Sequence, residues 1–319
     1  MDNCIMQAKA TTGHKGTFVN SMEKMNQTLC SERSVHQCTP QPPQQAAVVV
    51  ILYTPTPSLM ELASFRQCIT VLKRQPLVIA CPLSLNTACY ERVLEEAGAS
   101  AAIERFNDKC FTSVASYNNL MKSLFFYERF SRFTYILIYQ LDAWVFRDEL
   151  NQWCEKGYEY IGAPWYTSTG KVKQVCGNGG FSLRKVATFI KVLSGELQQE
   201  CQWNYSYIAR ELQNIPITQA PFEWLRELLV FCRCRISLAN GIYRANNNED
   251  YLFAKVLSAI YGMKMPDIQE AFAFSFEQHP EDAFRRTAGQ LPFGCHAFEK
   301  NNPEFWSQWI PALKQLVLG

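Results

Sequence analysis

The sequence predicts an α/β fold, with a mostly parallel central sheet flanked by helices, and three of its features point that way. Apolar, β-branched runs recur with the length of buried strands: AAVVVILYTP from residue 46, PLVIACP at 76–82 and TYILIY at 134–139. The stretches between them carry apolar residues at helical spacing. Each run also stops abruptly, at Pro55, Pro82 or the polar Gln140. Strands that are apolar on both faces belong to a sheet covered on both sides, and strands that alternate with helices join in parallel.

Residues 61–74 place Leu62, Phe65, Ile69 and Leu72 on one helical face. Residues 87–97 form a second helix, ended by Gly98, which accepts the left-handed backbone of a helix end. A third strand is expected at 101–106. Residues 114–130 read as one long helix with aromatic residues on its apolar face, and the strand at 134–139 follows. EYIGAPWY (159–166) reads as a short strand, and CGNGGFSLRKV (176–186) as a glycine-rich turn entering a helix. NNNEDYLFAKVL (246–257) reads as a helix with Glu249 and Asp250 in its first turn. FSFE (274–277) precedes PFGCHAFEKN (292–301).

Residues 1–45 stand apart. They are rich in Gln, Thr, Ser, Lys and Met, lack a sustained period and end in the breaker cluster TPQPPQQ. They read as a disordered tail or an unprocessed leader ahead of one domain at 46–319. The segment has neither the apolar core of a signal peptide nor the arginines of a mitochondrial presequence, holding only Arg33.

Hydrophobic residues fill 48% of the 319 positions, enough for a large core. The formal charge is +2, and no Lys/Arg block suggests a nucleic-acid partner. The 13 cysteines are scattered, odd in number and mostly inside apolar segments, so they read as reduced core residues. Cys232 and Cys234 alone make a weak zinc pattern. No apolar run approaches the roughly 20 residues that span a bilayer. A cytoplasmic protein is expected.

Several polar residues interrupt apolar surroundings. YILIYQLDAWVF ends a buried strand on Asp142, and burying an ionised carboxylate without a partner is costly. Asp142 therefore either caps a turn or faces something positive, at the strand end where ligands bind in such sheets. The first strand runs into Thr54-Pro55-Thr56-Pro57, without G-x-G-x-x-G, and the chain has no P-loop. Both absences disfavour a dinucleotide dehydrogenase or a P-loop kinase. Gly177, Gly179 and Gly180 let backbone approach a ligand closely, and three glycines in four residues exceed what a tight turn requires. Asn178 and Ser182 offer hydrogen bonds to hydroxyls, while Arg184 faces phosphate or solvent. Trp165 is either a platform for a sugar face or ordinary core. Glu249 and Asp250 suit a helix start through the macrodipole, or supply a general base. His296, one of four histidines, is either a satisfied loop or core residue or a metal ligand.

Gln140-x-Asp142, Gly162-Ala-Pro-Trp165, Gly177-Asn-Gly-Gly-Phe-Ser-Leu-Arg184, Glu249-Asp250 and Phe293-Gly-x-His296 together resemble the GT-A type of glycosyltransferase. More narrowly, they resemble an uncharacterised glycosyltransferase-like family from bacterial polysaccharide loci and fungi. The resemblance spans most of residues 46–309, and GNGGFSLR is its most specific string. It implies one GT-A-like domain that moves a sugar from a nucleotide sugar, UDP-linked, to a hydroxyl of a glycan or lipid-linked glycan, with inversion. It implies donor binding by Gln140, Asp142, Trp165, Gly177, Asn178, Gly179, Gly180, Ser182 and Arg184. It also implies a divalent metal, Mn²⁺ or else Mg²⁺, on Asp142 and His296, with Asp250 as base and Glu249 beside it on the acceptor.

One residue departs from the pattern: the usual Asp-x-Asp begins here with Gln140. A carbohydrate- or nucleotide-binding protein that has lost catalysis is therefore one alternative. A sugar nucleotidyltransferase is another, although the glycine-rich basic loop of that class is missing from 53–58. The segment EWLRELLVFCRCR (223–235), amphipathic and then basic, is either a packed helix or a peripheral contact with a membrane.

Overall fold

The computed structural model describes residues 44–167, 169–198, 205–213, 218, 221–245 and 248–317. The expected tail lies outside these residues except for Gln44 and Gln45, which already belong to the first strand. The strands are β1 (Gln44–Ile51), β2 (Leu77–Pro82), β3 (Ala102–Phe106), β4 (Phe133–Gln140), β5 (Ala143–Val145) and β6 (Tyr160–Ile161). They continue with β7 (Pro164–Tyr166), β8 (Val172–Cys176), β9 (Phe181–Lys185), β10 (Ser275–Phe276) and β11 (Gly294–His296). The main sheet has the order β3-β2-β1-β4-β9-β6. Its first four strands are parallel. β9 runs antiparallel to β4 and β6 antiparallel to β9, so the sheet is mixed with one reversed strand.

The helices used below are α1 (Leu59–Val71), α2 (Ala88–Glu96), α3 (Val114–Met121), α4 (Leu124–Glu128), α5 (Leu150–Glu155), α6 (Val186–Ser194), α7 (Tyr205–Gln213) and α8 (Pro221–Ile236). Both faces of the sheet are covered. Val48, Val50, Leu137 and Tyr139 pack with Phe65, Cys68 and Tyr90 of α1 and α2 on one face. On the other, Tyr127 of α4 stacks on Phe189 of α6, which also meets Phe253 edge-on. Each such fully buried side chain contributes roughly 1.5–3 kcal/mol through the removal of apolar surface from water.

The structure departs from the sequence expectations at points with local causes. The first helix begins at Leu59 because Ser58 and Glu61 form a reciprocal capping box. The long helix expected at 114–130 is two helices, because the Ser123 hydroxyl accepts from Phe126 N–H and starts α4 anew. EYIGAPWY is divided between two sheets. The chain leaves the main sheet after β6, and the Ala163 carbonyl accepts from the N–H groups of Gly177 and Asn178. FSLR, expected to enter a helix, is strand β9, and the helix begins only at Val186. None of the nine described cysteines is in a disulfide. Among the described residues no helix is long and apolar enough to cross a membrane.

Candidate active site

Register between very short strands assembles the site. After β4 the chain turns through Leu141 and Asp142 into β5. β5 pairs antiparallel with β11, with Ala143 opposite His296. That register sets His296 Nε2 3.1 Å from Asp142 Oδ1. β10 lies parallel to β11, Phe276 against Cys295, so the next residue, Glu277, comes alongside. Its Oε1 accepts from His296 Nδ1 at 3.3 Å and from Asn178 Nδ2 at 2.8 Å. From the opposite edge, β9 pairs with β4, and Gln140 N–H donates to the Gly180 carbonyl. The result is a cleft of about 520 Å³ at the carboxyl ends of β1 and β4, where a ligand site is expected in this architecture.

The charges in the cleft answer one another. Burial alone would lower the pKa of His296, but its hydrogen bonds to Asp142 and Glu277 win and raise it to about 9. Burial would likewise raise Asp142, yet the bond to His296 and the charges of His296 and Lys300 hold it down, at about 2. Lys300 Nζ stands 3.4 Å from Asp142 Oδ2 and is itself largely exposed. Asp142 thus faces positive charge, as one of the two sequence alternatives required.

β9 carries the supporting network. Phe181 and Leu183 enter the core beneath α1 and α2, while Ser182 and Arg184, both fully buried, point to the opposite face of the sheet. Ser182 Oγ donates to the Gly179 carbonyl and accepts from Arg184 Nε at 3.0 Å. Arg184 donates to Tyr127 Oη at 3.0 Å and to Glu249 Oε1 at 3.1 Å. Glu249 is only 4% exposed, so it forms a buried ion pair with Arg184. Its neighbour Asp250 accepts from Gly179 N–H at 3.3 Å and from Tyr251 N–H at 2.6 Å. Burial, and then the Glu249 charge, push the Asp250 carboxyl up to about 7.

Close approach explains two of the glycines. A Cβ on Gly180 would run into the His296 ring, and one on Gly179 would stand 2.5 Å from Glu249 Oε1.

Gln140, Asp142, Asn178, Gly179, Gly180, Glu249, Asp250 and His296 all line the one cleft. Four other residues expected at a donor do not line it. Arg184 faces neither phosphate nor solvent, because Glu249 and Tyr127 hold it inside. Ser182 is spent on Arg184 and the Gly179 carbonyl. Gly177 lies behind, its carbonyl accepting from Tyr160 Oη. Trp165, half-buried on β7, stacks near Tyr251 at 6.4 Å between ring centres. Glu249 is engaged by Arg184, which leaves Asp250 as the carboxylate of the first turn without an ion pair among the described residues. Three residues escaped the sequence reading. Glu277 ends the alternating string FSFE, Lys300 lies one helical turn's spacing beyond His296, and Tyr117 Oη accepts from Gln140 Nε2 at 3.1 Å.

Whether these residues suit a divalent ion depends on their donors. Among the described residues no three His, Cys, Asp or Glu side chains form a metal-holding group. Asp142 Oδ1 and the Gln140 amide oxygen nevertheless both face His296 Nε2, at 3.1 and 3.3 Å. A carboxylate, an amide oxygen and an imidazole make a donor set that suits Mn²⁺, with room for substrate oxygens. The fit requires His296 to give up its Nε2 proton on loading.

Fold and cleft together define an α/β protein with a polar cleft at the ends of parallel strands. The chain belongs to the family described as "Protein of unknown function (DUF5672)", which it matches over residues 100–296. No curated protein matches it. Among solved structures it is similar to the glycosyltransferase GlyE of Streptococcus pneumoniae TIGR4, at 12% identity and a TM-score of 0.44, covering 85% of this chain and 63% of that one. It is also similar to core-mannan synthase A from Aspergillus fumigatus in its Mn/GDP form, at 9% identity and 0.41, covering 73% and 74%. A cytidylyltransferase from Leptospira borgpetersenii matches at 7% identity and 0.31, over 47% and 64%. The chain thus spans less than two-thirds of GlyE and of the cytidylyltransferase. These likenesses are loose, and no residue role transfers from them.

Proposed function

We propose that this protein is a glycosyltransferase that moves a sugar from a nucleotide sugar, UDP-linked, to a hydroxyl of a glycan or lipid-linked glycan, with inversion. One observation carries the reading. A single cleft holds a carboxylate of raised pKa, Asp250, together with a donor set for a divalent ion at Asp142, Gln140 and His296.

Asp250 takes the proton from the acceptor hydroxyl as that oxygen attacks the anomeric carbon. A base with a pKa near neutrality is both ionised and basic enough to do so. Its bond from Gly179 N–H fixes the carboxylate against the glycine loop, and the Arg184–Glu249 pair anchors the helix start that carries it. Gly179 and Gly180 bring backbone close to the donor sugar, with Asn178 held in place by Glu277. Lys300 offers its ammonium to the charge that builds on the departing diphosphate. The divalent ion held by Asp142, Gln140 and His296 would supply a Lewis acid at that same diphosphate.

Calorimetric titration of UDP with and without Mn²⁺ tests the binding half. Binding should require the metal and be weakened by Asp142→Asn or His296→Ala, and equal binding in both conditions would remove the metal site from the proposal. In a nucleotide-sugar turnover assay, Asp250→Asn should lose roughly 10²–10⁴-fold in rate while keeping UDP affinity. A variant that retains most of its turnover would exclude Asp250 as the base.

A further inference from the structure

Exposed large apolar side chains concentrate on one part of this molecule. Of the eleven among the described residues, five lie on α7 and α8: Tyr205, Phe222, Leu225, Leu229 and Ile236. Scattered apolar residues on a surface are ordinary, whereas a contiguous apolar patch marks an interaction site.

The α8 residues follow the spacing i, i+3, i+7 and i+14, which puts them on one stripe of the helix. Phe222 is 87% exposed and Ile236 84%. The opposite side of α8 is the buried one, with Val230, Phe231 and Cys234 packed inward. The stripe runs for about 21 Å at 1.5 Å per residue. Arg233 is exposed on the same arc, and Arg235 follows in the same last turn, its guanidinium 5.6 Å from the centre of the Tyr205 ring. The residues on the arc itself, at 222, 225, 229, 232, 233 and 236, include no carboxylate.

We propose that the outward face of α8 docks on an anionic lipid surface, with Phe222, Leu225, Leu229 and Ile236 entering the interface and the two arginines meeting lipid headgroups. Charge complementarity selects this occupant. A lone helix that presents an apolar stripe edged by arginines and an aromatic ring lies in the plane of an interface, with its cations at headgroup depth. The inference stands whether or not the cleft transfers a sugar. If it does, docking would bring the protein to a lipid-borne acceptor.

The test is sedimentation of the full chain with phosphatidylcholine vesicles, with and without about one-third phosphatidylserine. The parent should pellet with the anionic vesicles and bind the neutral ones much more weakly. Leu229→Glu/Ile236→Glu should lose at least about tenfold in partitioning, with an unchanged melting temperature because both positions are exposed. Arg233→Ala should lose about fivefold on anionic vesicles only, the equivalent of roughly 1 kcal/mol per arginine at the surface. Failure of the parent to bind anionic vesicles, or equal binding by the double variant, would overturn the proposal. So would a concentration-dependent dimer that the double variant abolishes, because the face would then be covered by a second copy.

Discussion

Replacing Asp250 by asparagine should make the protein more stable at alkaline pH. Carrying a carboxylate from its usual pKa near 3.9 to about 7 costs about 4 kcal/mol in the ionised form. The folded pKa is raised, so between about pH 4 and pH 7 the native state binds more protons than the unfolded chain. Stability from this group is therefore complete below about pH 4 and is lost as pH rises through 7. Asparagine carries no charge to penalise. It keeps one acceptor for the two N–H groups of Gly179 and Tyr251, and the lost bond costs about 1 kcal/mol. Solvent at this partly buried position reduces the gain further. The net expectation is a stabilisation of about 1–3 kcal/mol at pH 8, or very roughly 3–10 °C in Tm for a domain of this size. The gap between variant and parent should shrink by more than half at about pH 5, where the native carboxyl is already neutral. Urea unfolding of both proteins at the two pH values measures it. A variant less stable than the parent at pH 8, or a gap indifferent to pH, would refute the strained-carboxylate account.

Other perturbations separate support from chemistry. Arg184→Met leaves Glu249 buried without its ion-pair partner and should cost about 3–5 kcal/mol by chemical denaturation. Adding Glu249→Gln to it should restore part of that loss, because the uncompensated charge is gone. Gly180→Ala drives a methyl group into the His296 ring and should cost about 1–3 kcal/mol. The same change should abolish Mn²⁺-dependent UDP binding in the calorimeter.

The alternation of strands and helices was legible because long apolar runs report burial directly, and β1 to β4 fell close to the expected positions. Asp142 was legible as the odd residue at a strand end. FSLR was misjudged because the glycines before it dominate local reading. Its own alternation, Phe181 and Leu183 against Ser182 and Arg184, has the period of a strand, yet it covers too few residues to be decisive. The burial of Arg184 could not be read, because its partner Glu249 lies 65 residues away and meets it only through the fold. The sequence likewise carries no local sign that Glu277 would meet His296, and it joins His296 to Asp142 only through the family resemblance. Strands of two and three residues have no periodicity to detect, and pairing alone unites them.

That dependence on pairing sets which changes in chain length the cleft can absorb. Neighbouring strand residues point to opposite faces, so deleting one residue between Gly294 and His296 would present a different side chain to Asp142. An insertion at 287–292, before β11 begins, leaves the pairing of Ala143 with His296 intact. Loop length there is less tightly set than the three residues that follow, which are fixed in number.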